Sequence, residues 1–118
     1  MNKRLKTIDH VAIRSGNIDA CKEWYEQEFG AICVFSTDFY HRMRFGNIYL
    51  AIIDKNKYPY NHIGVLIDNY EDLPTDGERH EHRDGTIGVY KQDPCGNWVE
   101  YIWYSDEAKE MLEKHESR

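Results

Sequence analysis

The stretch Asp93–Glu100, DPCGNWVE, decides the fold, because it joins a tight turn to a strand that carries an acid. Its proline presets φ and its glycine can take positive φ, a combination typical of a turn between antiparallel strands. If the turn centres on Cys95, Tyr90 faces Glu100 across a hairpin that runs from Thr86 to Tyr104. The turn therefore predicts which residues share a face with the acid.

Alternation along this hairpin divides its side chains between two faces. The face of Glu100 is walled by aromatic rings and includes the hydroxyl of Tyr90. A carboxylate in such surroundings is poorly placed for solvation, so we expect it to have a specific partner. One face is predicted to carry Tyr90, Trp98, Glu100 and Ile102, and the other Val89, Val99 and Trp103.

Two histidines occupy matching places in strands that open the two halves of the chain. His10 lies in IDHVAI and His62 in NHIGV. Their neighbours at odd offsets are apolar and should pack beneath the sheet, which leaves both imidazoles on the opposite face. Two neutral imidazoles and one carboxylate suit a divalent metal with open positions, so we predict a metal centre of His10, His62 and Glu100. The apolar neighbours are Val11, Ile13, Ile63, Val65 and Ile67.

The first half of the chain is predicted to form a strand, a helix and three further strands. A strand at 7–14 is followed by a helix that Asn17 caps and Gly30 ends. Three strands then fit residues 31–53. This order predicts one complete strand–helix–strands unit.

The second half repeats this order in shortened form. A strand at 62–68 precedes residues 69–77, which have room for a turn or two of helix before Pro74 stops it. The prediction ends with strands at 86–92 and 98–104 and a helix that Ser105 caps, with Ala108, Met111, Leu112 and His115 on one stripe.

These segments resemble the vicinal-oxygen-chelate superfamily, which includes glyoxalase I, bleomycin-resistance proteins, extradiol dioxygenases and fosfomycin-resistance enzymes. The stretch Asp93–Glu100 is similar to the superfamily's DPxGN-x-x-E signature, and the resemblance spans residues 7–104. It implies one domain over residues 1–118 with an α+β fold. In that fold, paired βαβββ modules form a curled mixed sheet around a metal site, here with a shortened second helix. The other segments that carry the resemblance are Ile8–Ile13, Trp24–Gly30 and Asn61–Val65.

The resemblance also implies three protein ligands rather than four. Four-ligand members such as glyoxalase I and methylmalonyl-CoA epimerase take a Glu or Gln from the fourth strand, where residues 48–53 read IYLAII. A His/His/Glu set instead resembles the extradiol dioxygenases and the fosfomycin-modifying enzymes. In the dioxygenase interpretation, which we favour, Fe(II) or Mn(II) is the expected metal, with Zn, Ni or Co as alternatives. A small substrate then binds through neighbouring oxygens.

Tyr90 and His82 are the candidate catalytic residues of that interpretation. Tyr90 matches a tyrosine that such enzymes place ten residues before the metal glutamate, where it hydrogen-bonds a substrate oxygen. His80 or His82 lies near the position of their acid–base histidine, with a spacing that departs by one residue either way. The simpler alternative, a solvated loop over residues 80–83, is slightly favoured.

Two other interpretations stay open. A fosfomycin-resistance-like transferase or hydrolase usually has threonine where this chain has Ala12, and a basic, serine-rich loop where residues 83–86 read RDGT. A further alternative within the superfamily is a lyase or isomerase. A metal-free drug-binding resistance protein uses the same fold as a cleft, but often lacks the ligand set. An anionic substrate could meet His41, Arg42 and Arg44, although alternation turns only one set inward and solvated arginines on an edge strand are the alternative.

Charge and cysteine content exclude several partners. The net charge of −6 argues against nucleic-acid or anionic-membrane binding, because phosphates would not be neutralised. No apolar stretch serves as a signal peptide or membrane span, so a cytoplasmic protein is expected. Three widely spaced cysteines support neither a disulfide framework nor a zinc knuckle, and we expect an exposed thiol at Cys95.

Small members of the superfamily commonly dimerise, so a homodimer is expected. In such dimers each site can be shared, with His10 serving one site while His62 and Glu100 serve the other. The C-terminal helix or a partner chain would cover the back of the sheet over the shortened second module.

Overall fold

One eight-stranded sheet runs through both halves of the chain, in the order β2-β3-β4-β1-β5-β8-β7-β6. The structure is a computed structural model that describes residues 5–82 and 85–116, without the side chains of 112 and 114–116. The strands are β1 (Ile8–Ser15), β2 (Ile32–Ser36), β3 (Tyr40–Arg44), β4 (Tyr49–Asp54), β5 (His62–Leu66), β6 (Glu78–Glu81), β7 (Ile87–Gln92) and β8 (Trp98–Trp103). The helices are α1 (Ile18–Phe29) and α2 (Asp106–Glu116), and Tyr70–Asp72 forms one 3₁₀ turn.

The sheet consists of two modules of the same topology. In the first, β1 pairs in parallel with β4, and in the second β5 pairs in parallel with β8. The modules join through the antiparallel pair β1–β5, which brings their first strands side by side at the centre. The predicted α+β fold of paired βαβββ modules is confirmed.

The helix of the first module forms as its end signals predict. The Asn17 side chain accepts a hydrogen bond from the Ala20 amide, and Gly30 takes the left-handed conformation at φ 68°. The helix packs on the back of the sheet. The buried residues beneath it are Ala31, Met43, Leu50 and Ile52.

The second module has the shortened helix that the sequence predicts. Only the 3₁₀ turn Tyr70–Asp72 forms there, and Leu73 after it fills the apolar back of the sheet. Strand β6 was missed, because ERHE at 78–81 is wholly polar and exposed on both faces of an edge strand. The alternative of a loop over 80–83 is therefore wrong for residues 80 and 81, and residue 83 lies outside the described part of the chain. Leu73 packs with Ile67, Ile87 and Val89.

The hairpin β7–β8 has the predicted register. Tyr90 pairs with Glu100 and Gln92 with Trp98. Asp93 organises the turn by accepting backbone hydrogen bonds from Cys95 and Asn97 at 2.9 Å each. Those bonds, first among them the ones from Asn97, lower the pKa of Asp93. The turn thus fixes where Glu100 lies along its strand.

The final helix lies on the front of the sheet. Ser105 caps it through a 3.1 Å hydrogen bond from the Ala108 amide, as predicted. Ala108 and Met111 line the cavity in front of β1 and β8, so the expectation that this helix covers the sheet back is wrong. Leu112 and His115, predicted on the same stripe, have side chains outside the described residues. No helix in the described part of the chain is long and apolar enough to cross a membrane.

Candidate metal centre

Three ligand atoms from three different strands converge on the front of the sheet. His10 Nε2 lies 3.3 Å from His62 Nε2 and 3.1 Å from a carboxylate oxygen of Glu100. That oxygen, Oε1, is 3.3 Å from His62 Nε2. The structure brings together all three residues predicted as ligands, and it does so within one chain. Within this chain, no residue of a second subunit is required to bring the three ligand atoms together.

The spacing of these atoms matches a metal coordination shell. Ligand atoms about 2.1 Å from one ion, at angles between octahedral and tetrahedral values, lie about 3.0 to 3.4 Å apart. The three measured separations, 3.1, 3.3 and 3.3 Å, fall in that interval. The three residues can hold a single divalent ion without rearrangement.

Two glycines make room for the ligands. A Cβ at Gly64, on β5 between β1 and β8, would collide with the His10 ring. A Cβ at Gly88 would collide with the Glu100 carboxylate. Because the nearest side-chain positions are vacant, the imidazole and the carboxylate can lie flat against the sheet and face each other.

A carboxylate orients the first imidazole. His10 Nδ1 donates to Asp9 at 2.7 Å, and the Tyr104 hydroxyl donates to the same Asp9 oxygen at 2.8 Å. Burial opposes the charged imidazole, but the hydrogen bonds to Asp9 and Glu100 outweigh it and raise the pKa of His10 to about 9. A register shift in β1 beside β5 accompanies Asp9, and this bulge was not predicted.

A backbone carbonyl orients the second imidazole. His62 Nδ1 donates to the Tyr60 carbonyl at 3.2 Å. With both Nδ1 atoms engaged as donors, the tautomers that His10 and His62 adopt when neutral present lone pairs at Nε2. Without an ion, a proton on His10 Nε2 is shared with Glu100 at 3.1 Å, in keeping with the raised pKa of His10. A divalent ion would replace that proton and meet two Nε2 lone pairs and a carboxylate oxygen, so the donor set fits a metal.

Glu100 is ionised despite its burial. Its side chain is 6% exposed, and burial alone would raise its pKa. Hydrogen bonds with the two histidines instead lower the pKa of Glu100 to about 2. Tyr90 is hydrogen-bonded to the same carboxylate, and burial and this charge raise the pKa of its hydroxyl. The phenol therefore stays a donor at neutral pH.

A cavity of about 720 Å³ opens in front of the three ligands. Its floor is formed by β1, β4, β5 and β8, and α2 lines one side. Most of its wall is aromatic or aliphatic, which favours an organic guest over bulk water. The apolar wall includes Ala12, Phe35, Phe39, Tyr40, Ala51, Ile53, Tyr58, Ile102 and Met111.

Of the two histidines considered as acid–base groups, His82 lines this cavity and His80 does not. His82 is exposed, and its backbone amide donates to the Thr86 carbonyl at 2.9 Å. The His80 ring stands edge-on to Tyr90 at 5.3 Å, beside Glu78 at 3.5 Å. Both residues lie on the sheet face of the metal centre.

The expectation of solvated arginines on β3 is wrong for Arg42. Strand β3 is not an edge strand, and Arg42 is buried in the cavity wall with 7% exposure. His41 points to the other face, where its imidazole hydrogen-bonds Asp19 and Ser36 at 2.7 Å each. Alternation left the choice of face open, because either set of side chains could have turned inward.

One apolar neighbour of the ligands departs from its predicted burial. Ile63 is 37% exposed, although its position on the back of β5 is as predicted. Part of the back of β5 is therefore uncovered by this chain's described residues.

No protein family matches the sequence of this chain, and no curated protein matches it either. Its structure is similar to a hypothetical protein of Bacillus halodurans, at TM-score 0.69 and 11% identity over 87% of this chain and 97% of that one. Methylmalonyl-CoA epimerase of Streptomyces coelicolor matches at TM-score 0.65 and 17% identity, over 87% and 97% of the two chains. A glyoxalase/bleomycin resistance protein/dioxygenase superfamily member of Vibrio splendidus matches at TM-score 0.62 and 7% identity, over 86% and 100%. At these identities the likeness is one of fold, and the chain has the vicinal-oxygen-chelate fold.

Proposed function

We propose that this protein is a metal-dependent enzyme that binds a small substrate through two neighbouring oxygens, with an extradiol-dioxygenase-like reaction as the favoured activity. The observation that carries the proposal is the convergence of His10, His62 and Glu100 on one point of a cavity wall. A divalent ion held there, Fe(II) or Mn(II) by the resemblance, would supply Lewis acidity and open positions for a chelating substrate.

The protein side chains around the ligands have separable roles. Tyr90 donates a hydrogen bond, because its raised pKa keeps the phenol protonated. A substrate oxygen close to Glu100 can receive this hydrogen bond in place of the carboxylate. His82 lines the cavity and is exposed to solvent, so it can exchange protons between the substrate and water. We assign Tyr90 to substrate positioning and His82 to acid–base catalysis.

Metal content tests whether His10, His62 and Glu100 bind a divalent ion. Protein purified without chelator should contain about one divalent ion per chain, as expected for one three-ligand centre. His62→Ala and Glu100→Gln should lose that ion. Glu78→Gln is the matched control, because Glu78 is another carboxylate beside a histidine but is exposed and lies outside the trio. Wild-type protein that takes up none of Fe, Mn, Ni, Co or Zn would exclude the enzyme proposal.

Oxygen consumption tests the favoured reaction. Protein loaded anaerobically with Fe(II) should consume O₂ when mixed with one or more members of a catechol panel. Tyr90→Phe and His82→Gln should slow that reaction while the metal stays bound, whereas His80→Gln should not. A metal-loaded protein that consumes no O₂ with any catechol would move the proposal to the lyase or isomerase alternative. That alternative is represented in the same fold by methylmalonyl-CoA epimerase.

The metal-free, drug-binding alternative is less consistent with the site. A cleft that only sequesters an organic molecule gains nothing from two buried imidazoles and a buried carboxylate facing one another, because burying charged groups is costly even when they are paired. Dialysis against a chelator distinguishes the two cases. Loss of ligand binding after metal removal supports the enzyme proposal, and unchanged binding supports sequestration.

We also propose a homodimer and a cytoplasmic location. Both are expectations carried over from the resemblance of the sequence to the superfamily. Trp24, Phe29 and Ile32 are exposed around α1 and offer apolar surface for association. Analytical ultracentrifugation that finds a monomer at micromolar concentration would exclude the dimer.

A further inference from the structure

Arg42 brings a buried positive charge to the cavity wall that the metal centre does not use. Its side chain is 8% exposed, and the guanidinium carbon lies 3.9 Å above the centre of the Tyr49 ring. Stacking on an aromatic face holds the guanidinium plane in a fixed orientation. The charge is therefore both desolvated and oriented.

The guanidinium hydrogen-bonds the Tyr104 hydroxyl but has no carboxylate within hydrogen-bond distance in the described part of the chain. The nearest carboxylate, Asp9, is 3.8 Å away, and its oxygen already accepts hydrogen bonds from His10 and Tyr104. The Nε–H of Arg42 is buried and has no hydrogen-bond acceptor among the described residues. An unsatisfied buried donor costs free energy, so Arg42 is an incompletely paired cation that lines the cavity and can meet an anionic ligand there.

The two modules place Arg42 and Tyr90 at equivalent positions. Tyr90 on β7 pairs with the ligand Glu100 on β8. Arg42 on β3 pairs in the same way with Ala51 on β4. Alanine offers no ligand atom, so the cavity stays open where the second module has a carboxylate. Arg42 consequently faces the open half of the site.

We propose that Arg42 binds a carboxylate of the substrate, so that the site accepts a small organic acid with two neighbouring oxygens at its other end. This inference rests on the proposed function, because the oxygens are those directed to the metal centre. A planar guanidinium matches a carboxylate through two parallel hydrogen bonds. The aromatic rings of Phe35, Tyr40 and Tyr58 line the cavity and suit an aromatic or unsaturated body.

The charge of the cavity favours a carboxylate over a phosphate or phosphonate. Among the described lining residues, Lys57 is the one lysine or arginine besides Arg42, and it is exposed with its ammonium 3.9 Å over Phe39. One buried guanidinium neutralises one negative charge. A doubly charged phosphonate would need a second buried cation.

The test uses probes that differ only in this charge. Binding of 3,4-dihydroxybenzoate and its neutral isostere 3,4-dihydroxybenzamide to Mn(II)-loaded protein is measured anaerobically by calorimetry. The wild type should bind the acid about 10- to 100-fold more tightly than the amide, the value of a charge-assisted hydrogen-bond pair. Arg42→Met should abolish the preference, and Arg42→Lys should retain part of it.

Arg44→Met is the matched control, because Arg44 lies on the same strand and face but outside the cavity lining. The Arg44→Met variant removes the same charge and should keep the preference for the acid over the amide. Equal binding of acid and amide by the wild type, or a preference that survives Arg42→Met, would overturn the inference. If Arg42→Met fails to fold, the wild type and Arg42→Lys decide, since Arg42→Lys must weaken the preference.

A second probe pair separates this inference from the proposed function. Benzoate and benzamide lack the two hydroxyls and are compared by saturation-transfer NMR. If neither dihydroxy probe binds to metal-loaded protein but benzoate is still preferred over benzamide, chelation fails and the role of Arg42 stands. If neither dihydroxy probe binds and benzoate and benzamide also bind equally, both the carboxylate site and the chelating site are excluded.

Discussion

The two modules share one topology but contribute differently to the site. His10 pairs with Tyr49 in the first module, and His62 pairs with Trp98 in the second, so the two histidines occupy equivalent positions. Two residues further along the partner strands, the first module has Ala51 and the second has Glu100. The difference leaves one of four symmetric positions without a ligand atom, and that asymmetry gives the candidate centre an open side.

The modules also differ in how they are covered. The first has the three-turn helix α1 against its back, whereas the second has a 3₁₀ turn and Leu73. The front of both modules is continuous across the β1–β5 pair. The shortened second helix therefore affects the back of the sheet, whereas the three candidate ligands lie on its front.

Adding a fourth ligand at the open side of the candidate centre is expected to have the largest effect on the binding of metal and catechol. Ala51→Glu places a carboxylate at the position equivalent to Glu100, so a fourth ligand should tighten metal binding about 10-fold or more. The same change should abolish binding of catechol, because the open position is occupied. Calorimetry on metal-loaded protein measures both. Ala51→Leu is the control, since it fills the space without a ligand atom and should lose catechol binding without tightening the metal.

A glycine exchange tests the floor of the centre. Gly64→Ala adds a Cβ that collides with the His10 ring, so we expect a loss of about 1 to 3 kcal/mol in the free energy of unfolding from overpacking. Metal affinity should fall at the same time, because the ring must turn away from His62. Gly46→Ala is the matched control, since a Cβ there meets no atom within 4 Å. Denaturant unfolding with and without metal measures both effects, and a normal metal affinity in Gly64→Ala would refute the steric argument.

The sequence predicted the parts of the site that depend on alternation and turn chemistry. The turn at Asp93 fixed the pairing of Tyr90 with Glu100, and the apolar neighbours of His10 and His62 predicted their common face. Alternation could not assign Arg42, because either face of β3 offered polar residues. It also missed β6, since a polar edge strand has no apolar pattern and depends on pairing with β7.

The orienting groups behind the two histidines provide a smaller test. Asp9 supports His10 with a charge, whereas His62 relies on a backbone carbonyl. Asp9→Asn keeps an acceptor but removes the charge, so metal affinity should fall about 10-fold, in the range typical of outer-sphere partners. Asp19→Asn is the control, because Asp19 also hydrogen-bonds a histidine, His41, at 2.7 Å but on the other face. Equal losses in the two variants would show a general effect on stability rather than an effect on the centre.

The smallest effect on metal affinity is expected at Tyr104, which contacts Asp9 rather than a candidate ligand. Its hydroxyl donates to Asp9 at 2.8 Å and so fixes the carboxylate that holds His10. Tyr104→Phe removes this hydrogen bond and the one with Arg42. The bond to Asp9 is the one that bears on His10 and is worth about 0.5 to 1.5 kcal/mol, so metal affinity should fall by no more than about 10-fold. Tyr101→Phe removes a hydroxyl on β8, which ends just before Tyr104, but on the opposite face, where Tyr101 packs against the Ile67 and Val89 cluster. This variant should leave the metal unaffected. A larger loss in Tyr104→Phe than in Asp9→Asn would mean that Tyr104 acts on the ligands by a route other than Asp9.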